Sequence, residues 1–158
     1  MTINSPVDIE ITSETGKKIQ IKSNTIIVND FTDSYIYLSE GNKIIMLPSN
    51  ETLHVNVIAT DYGDINIDFT CMVGDNILTY HYHNLTVKDG DKIYLNSTQP
   101  EIAYFDLSGD GTIDKEIYAE VVPEFPSIVI STSLIFTGLI IIVLLKKSGK
   151  IQPKFHKP

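Results

Sequence analysis

The sequence predicts an all-β body, an antiparallel β-sandwich of about eight to ten strands, followed by one C-terminal transmembrane α-helix. Three observations carry that expectation. Short segments alternate apolar and polar residues with a period of two, turn-forming residues recur between them, and residues 125–145 are 21 in a row without a charge. The 158 residues allow one domain of ordinary size.

The alternation begins at Val7-Asp8-Ile9-Glu10-Ile11 and returns at Lys18-Ile19-Gln20-Ile21-Lys22 and Leu53-His54-Val55-Asn56-Val57. It appears again at Ile65-Asn66-Ile67-Asp68-Phe69 and Ile117-Tyr118-Ala119-Glu120-Val121. A strand sends successive side chains to opposite faces, so each segment offers one face to a core and one to water. Glycine and acidic or amide residues separate the segments at Glu14-Thr15-Gly16, Ser39-Glu40-Gly41-Asn42, Asp61-Tyr62-Gly63-Asp64, Val73-Gly74-Asp75-Asn76 and Lys88-Asp89-Gly90-Asp91. No helical period interrupts them before residue 126, which excludes a βαβ architecture and leaves an Ig-like sandwich over residues 1–121.

The uncharged run Phe125–Leu145 spans about 31 Å as a helix, the thickness of a bilayer core. It is apolar on every face, which a body this small could not cover by packing. The expected transmembrane helix is 127–145, preceded by a short stem at 122–126 and followed by a lysine-rich tail at 146–158. Five of the 12 lysines lie in that tail without an acid, so the positive-inside rule places it in the cytoplasm and the body outside. The opening MTINSPVDIE has no basic or apolar segment of a signal peptide, so the chain is expected to be the C-terminal piece of a longer precursor or to have a misassigned start, with insertion as a tail-anchored protein the alternative. The triplets at Asn50, Asn84 and Asn96 have the form of N-glycosylation acceptors and suit an exported surface.

The order Pro123-Glu124-Phe125-Pro126, apolar helix, basic residues resembles the PEF-CTERM class of archaeal C-terminal sorting signals. By that resemblance Pro123, Glu124, Phe125 and Pro126 are a recognition element for a membrane-embedded archaeosortase. The enzyme cuts near the motif and transfers the protein to a surface anchor. Two prolines fix φ and keep their neighbours extended, as a recognition strip requires, although a helix-starting proline with an interfacial aromatic anchor would use the same residues. The product is either a single-pass membrane protein with a cytoplasmic C-terminus or a surface protein released from its tail. The body, from SPVDIEITSETGKKI through ATDYGDINI, resembles the C-terminal accessory sandwich modules of archaeal exported proteins.

Charge excludes one class of partner. The chain carries 20 acidic side chains against 12 basic ones for a net −8, every basic residue is lysine, and all of the acids lie in residues 1–124. An acidic body without arginine cannot neutralise a phosphate backbone, so nucleic acid is not expected as a partner. Within the body, Asp106-Leu107-Ser108-Gly109-Asp110-Gly111-Thr112-Ile113-Asp114 has the spacing of a calcium loop, with oxygen ligands expected from Asp106, Ser108, Asp110 and Asp114 and from the Thr112 carbonyl. Gly111 stands where such loops turn sharply. Ile117 replaces the bidentate acid of a complete loop, and a plain hairpin would use the same Asp-Gly steps for positive φ.

His81-Tyr82-His83 puts two imidazoles on one strand face, and His54 could complete a transition-metal set, although no cysteine or carboxylate lies at a ligand spacing along the chain. Cys71, the single cysteine, stands in an apolar run and reads as a core residue. Tyr35 and Tyr37 share a face, as do Tyr80 and Tyr82, suited to sheet packing or to contact with a sugar or protein. No nucleophile elbow, zinc-protease helix or phosphate loop occurs. The expected function is therefore a non-catalytic surface module for structural or adhesive contact, anchored in membrane lipid and stabilised by calcium. The alternatives are the accessory end of a longer exported hydrolase or adhesin, and a small enzyme built on the histidines.

Overall fold

The alternating segments do form strands. The computed structural model describes residues 1–4, 6–39, 41–48, 51–73 and 76–124. The chain divides into two units, Met1–Pro123 and Glu124–Pro158, and beyond Glu124 the second lies outside the described residues. The expected helix at 127–145, the lysine tail, and Phe125 and Pro126 of the expected sorting motif fall there.

In chain order the strands are β1 (Thr2–Asn4), β2 (Val7–Ser13), β3 (Lys18–Lys22), β4 (Thr25–Asn29), β5 (Tyr35–Ser39), β6 (Asn42–Met46) and β7 (Leu53–Ala59). They continue as β8 (Gly63–Val73), β9 (Asn76–Val87), β10 (Lys92–Asn96), β11 (Ile102–Asp106), β12 (Lys115–Tyr118) and β13 (Glu120–Glu124). They build two antiparallel sheets, one ordered β13-β9-β8-β1-β6-β5 and the other β12-β11-β10-β7-β2-β3-β4. Among the described residues there is no helix, and so none long and apolar enough to cross a membrane.

One core joins the sheets. Ile9, Ile19, Val57 and Ile93 from one sheet and Ile3, Ile45, Ile67 and Tyr82 from the other are buried in a single apolar cluster, the arrangement of a β-sandwich. Along β2 burial alternates residue by residue, as a half-buried strand requires. Each fully buried Ile or Val contributes roughly 1.5–3 kcal/mol relative to exposure, so the alternation is also the main source of stability.

Among the described residues there are thirteen strands, more than the eight to ten expected, and two of the additional strands have local causes. Ser23 and Asn24 take φ of 47° and 58°, a two-residue turn of the type I′ form that folds β3 onto β4 without any glycine. The alternation from Ile117 to Val121, expected as one strand, is broken at Ala119, whose amide bonds the Glu101 carbonyl at 2.9 Å. The chain there passes from β12 in one sheet to β13 in the other, and the strand runs on to Glu124, past the expected body boundary at 121.

Candidate functional site

The antiparallel pairing of β8 with β9 sets Asp68 directly opposite His81. Their neighbours Ile67, Phe69, Tyr80 and Tyr82 are buried, so Asp68, His81 and, two residues on, His83 share the outer face. One carboxylate oxygen, Asp68 Oδ1, lies 2.7 Å from His81 Nδ1 and 2.9 Å from His83 Nε2. The two rings are tilted at 57° with centroids 5.0 Å apart. Both bonds require the proton on Nδ1 of His81 and on Nε2 of His83. Burial pushes the Asp68 carboxyl up, but the bonds from His81 and His83 outweigh it and hold the group below the usual aspartate value.

A bulge ends this regular stretch. Beyond the Ile67–Tyr82 pair, His83 and Asn84 together face Asn66 before pairing resumes at Ile65 and Leu85. Asn84 takes a φ of 55°, and its amide, lost to the ladder, donates to Asn66 Oδ1 at 2.8 Å. Hydroxyls flank the cluster on both sides: Thr70 and Thr79 bond each other at 3.0 Å, and Thr86 bonds Asp64 at 2.6 Å. His81 and His83 also line a shallow groove with Tyr118 and Glu120.

Among the described residues, Asp68, His81 and His83 are the one group of three side chains whose ligand atoms converge, all within 4.8 Å of one another. Two of them stood out in the sequence; Asp68 did not. The carboxylate missing near the histidines along the chain is supplied across the sheet. His54 does not join them, since it lies on β7 of the other sheet, opposite Thr12 and Asn96.

The loop between β11 and β12 holds the expected calcium residues. Asp106 is fully buried, and its two oxygens accept bonds from the amides of Ser108 at 3.3 Å, Asp110 at 3.1 Å and Gly111 at 2.9 Å. Asp110 caps the Thr112 amide at 2.8 Å, and Asp114 Oδ2 caps the Leu107 amide at 2.8 Å. From β10, the Lys92 ammonium donates to the Gly109 carbonyl at 2.8 Å. The loop is thus closed by its own hydrogen bonds, and Asp106, Asp110 and Asp114 do not form a converging group of the kind seen at Asp68. Both Asp106 oxygens are engaged by amides in a buried position, and Asp110 Oδ1 is engaged by the Thr112 amide. To serve an ion, Asp114 would first have to leave the Leu107 amide.

The other candidates separate clearly. In the triplet at Asn96, the side-chain oxygen accepts from the Thr98 amide at 2.9 Å and hydroxyl at 2.8 Å. Asn84 is exposed at the bulge, and Asn50 lies outside the described residues. Tyr80 and Tyr82 are buried, with the Tyr82 hydroxyl bonded to the Pro100 carbonyl at 2.6 Å, whereas Tyr35 and Tyr37 are exposed beside Met46 and Ile44. Cys71 packs at the margin of the core, and burial, with the nearby Glu101 charge, pushes its thiol up, away from nucleophile chemistry. Pro123 and Glu124, expected as part of a sorting motif, belong to β13. No protein family, curated protein or solved structure matches the chain.

Proposed function

We propose that this chain is a non-catalytic cell-surface module, an extracellular Ig-like sandwich held at the membrane by the segment 127–145 and used for structural or adhesive contact. The observation that carries the reading is the 21-residue uncharged run between a body holding all 20 acids and a tail holding lysines alone. An all-β body packed on one core is a suitable rigid support for contact, and exposed Tyr35, Tyr37 and Met46 offer apolar area to a protein or glycan partner. The likeness of residues 123–150 to a PEF-CTERM signal makes an archaeosortase the processing partner.

Fractionation of cells producing the full chain tests this reading. The protein is expected in the membrane fraction, with mass spectrometry finding either the intact lysine tail or a C-terminus ending near Pro123–Pro126. Recovery of the intact chain in the soluble fraction overturns both forms of anchoring.

Calcium enters the proposal as a stabiliser of the Asp106–Asp114 loop, adding to bonds that already close it. Millimolar calcium is expected to raise the melting temperature by about 3–5 °C, the effect of an ion held at roughly ten times its dissociation constant. The Asp110→Asn variant should lose that rise. An unchanged melting temperature in the unsubstituted protein removes calcium from the proposal.

A further inference from the structure

We infer that Asp68, His81 and His83 bind one divalent transition-metal ion of the zinc class on the outer face of the β8–β9 hairpin. The donor set decides the class of ion. Two imidazole nitrogens and one carboxylate oxygen suit zinc, copper or nickel, whereas calcium and magnesium take oxygen ligands almost exclusively. The geometry is close to what coordination needs. With bonds of about 2.0–2.1 Å, ligand atoms around a tetrahedral zinc ion stand about 3.3 Å apart. Asp68 Oδ1 is already 2.7 and 2.9 Å from the two nitrogens, so these two separations have to lengthen by about half an ångström as the ion replaces the bridging protons, and all three ligand atoms lie within 4.8 Å of one another.

The support under the ligands is rigid. Asp68 and His81 sit in register on paired strands whose reverse faces are core, and the bulge at Asn84 pins the strand just beyond His83. His81 and Asp68 are partly shielded while His83 is about half exposed, which gives an ion a path from solvent. Three protein ligands leave the fourth position of a tetrahedron open toward the groove shared with Tyr118 and Glu120, for water or a donor from a partner. One ion brings two positive charges to a body whose residues 1–124 hold all 20 acids, so the surrounding field favours it. This site is independent of the membrane anchor and of the 106–114 loop.

Isothermal titration of the metal-free full chain in mild detergent with zinc chloride tests the inference, followed by cobalt substitution to read the ligand field. One equivalent of zinc is expected to bind, millimolar calcium should not displace it, and the cobalt form should give the intense visible bands of four-coordinate geometry. His81→Ala, His83→Ala and Asp68→Asn should each weaken binding by at least about tenfold, while His54→Ala leaves it unchanged. Melting temperatures taken with a chelator present show that each variant is folded, and His83→Gln replaces any alanine variant that is not. No zinc binding up to millimolar concentration overturns the inference, as does binding that persists in the double variant lacking both His81 and His83.

Discussion

Replacing Gly109 with alanine is expected to lower the melting temperature by about 10 °C, one of the largest effects available from a single methyl group in this body. Gly109 has a φ of +69°, and a Cβ built on it would lie 2.5 Å from the backbone carbonyl oxygen of Gly90. That oxygen belongs to the turn between β9 and β10, which is tied to β7 by the bonds of the Gly90 amide to Ala59 and of the Ala59 amide to Asp91. It cannot step aside like the end of a side chain. The calcium-like loop would have to lift off the turn, and the bond from Lys92 to the Gly109 carbonyl would go with it. Left-handed backbone costs a residue with a Cβ about 1–2 kcal/mol, and the clash brings the sum to about 3 kcal/mol. Gly16→Ala is the control, because φ there is +86° with nothing within 4 Å of the added atom, so only the backbone cost applies. Thermal unfolding followed by circular dichroism distinguishes them. If the two variants melted within about 2 °C of each other, the close contact between the two turns would be disproved.

How far the sequence shows these features depends on whether the information is local. The strands at Val7–Ile11, Lys18–Lys22, Leu53–Val57 and Ile65–Phe69 were legible because one buried face imposes the two-residue period, and all four lie within β2, β3, β7 and β8. The switch at Ala119 was not legible, since the alternation continues through the point where the chain changes sheets. What decides it is a single amide bonded to a carbonyl eighteen residues earlier, Glu101. Asp68 falls between these cases. Its meeting with His81 depends on register, and the register follows from the turn expected at Val73–Asn76: Asp68 is the fifth residue before the turn and His81 the fifth after it. Counting outward from that turn would have paired them. The carboxylate that supports the histidines lies across the hairpin and not at a ligand spacing along the chain. In the 106–114 loop the Asp-x-Ser-x-Asp-Gly spacing gives the turn but not the ammonium of Lys92, which arrives from a neighbouring strand.

Asp106→Ala should destabilise the body by an amount that shrinks in acid, and that pH dependence separates the role of its charge from that of its volume. Burial pushes the Asp106 carboxyl up, but the amides of Gly111, Ser108, Gly109 and Asp110 outweigh it and hold the group below the ordinary aspartate value of 3.8. A carboxylate depressed by folding contributes stability that is fully present above its unfolded value and is lost as pH falls through the lower folded value. Near neutrality, removing the side chain orphans three amides at once, and a fall in melting temperature of about 8 °C or more is expected. Asp106→Asn keeps one acceptor oxygen and should lose about half as much. Other depressed carboxyls contribute to acid lability: Glu51, held at about 2 by its hydrogen bonds with Lys17 and Thr15, together with Asp68 and Asp110. The informative quantity is therefore the gap between the unsubstituted protein and Asp106→Ala, in which those common contributions cancel. From neutral pH to below the folded value of Asp106 this gap should narrow by about half, because the protonated carboxyl keeps one acceptor oxygen as asparagine does. If it stayed constant throughout, Asp106 would be stabilising the loop by filling space, and the hydrogen bonds from its three amide donors would contribute little to the charged form.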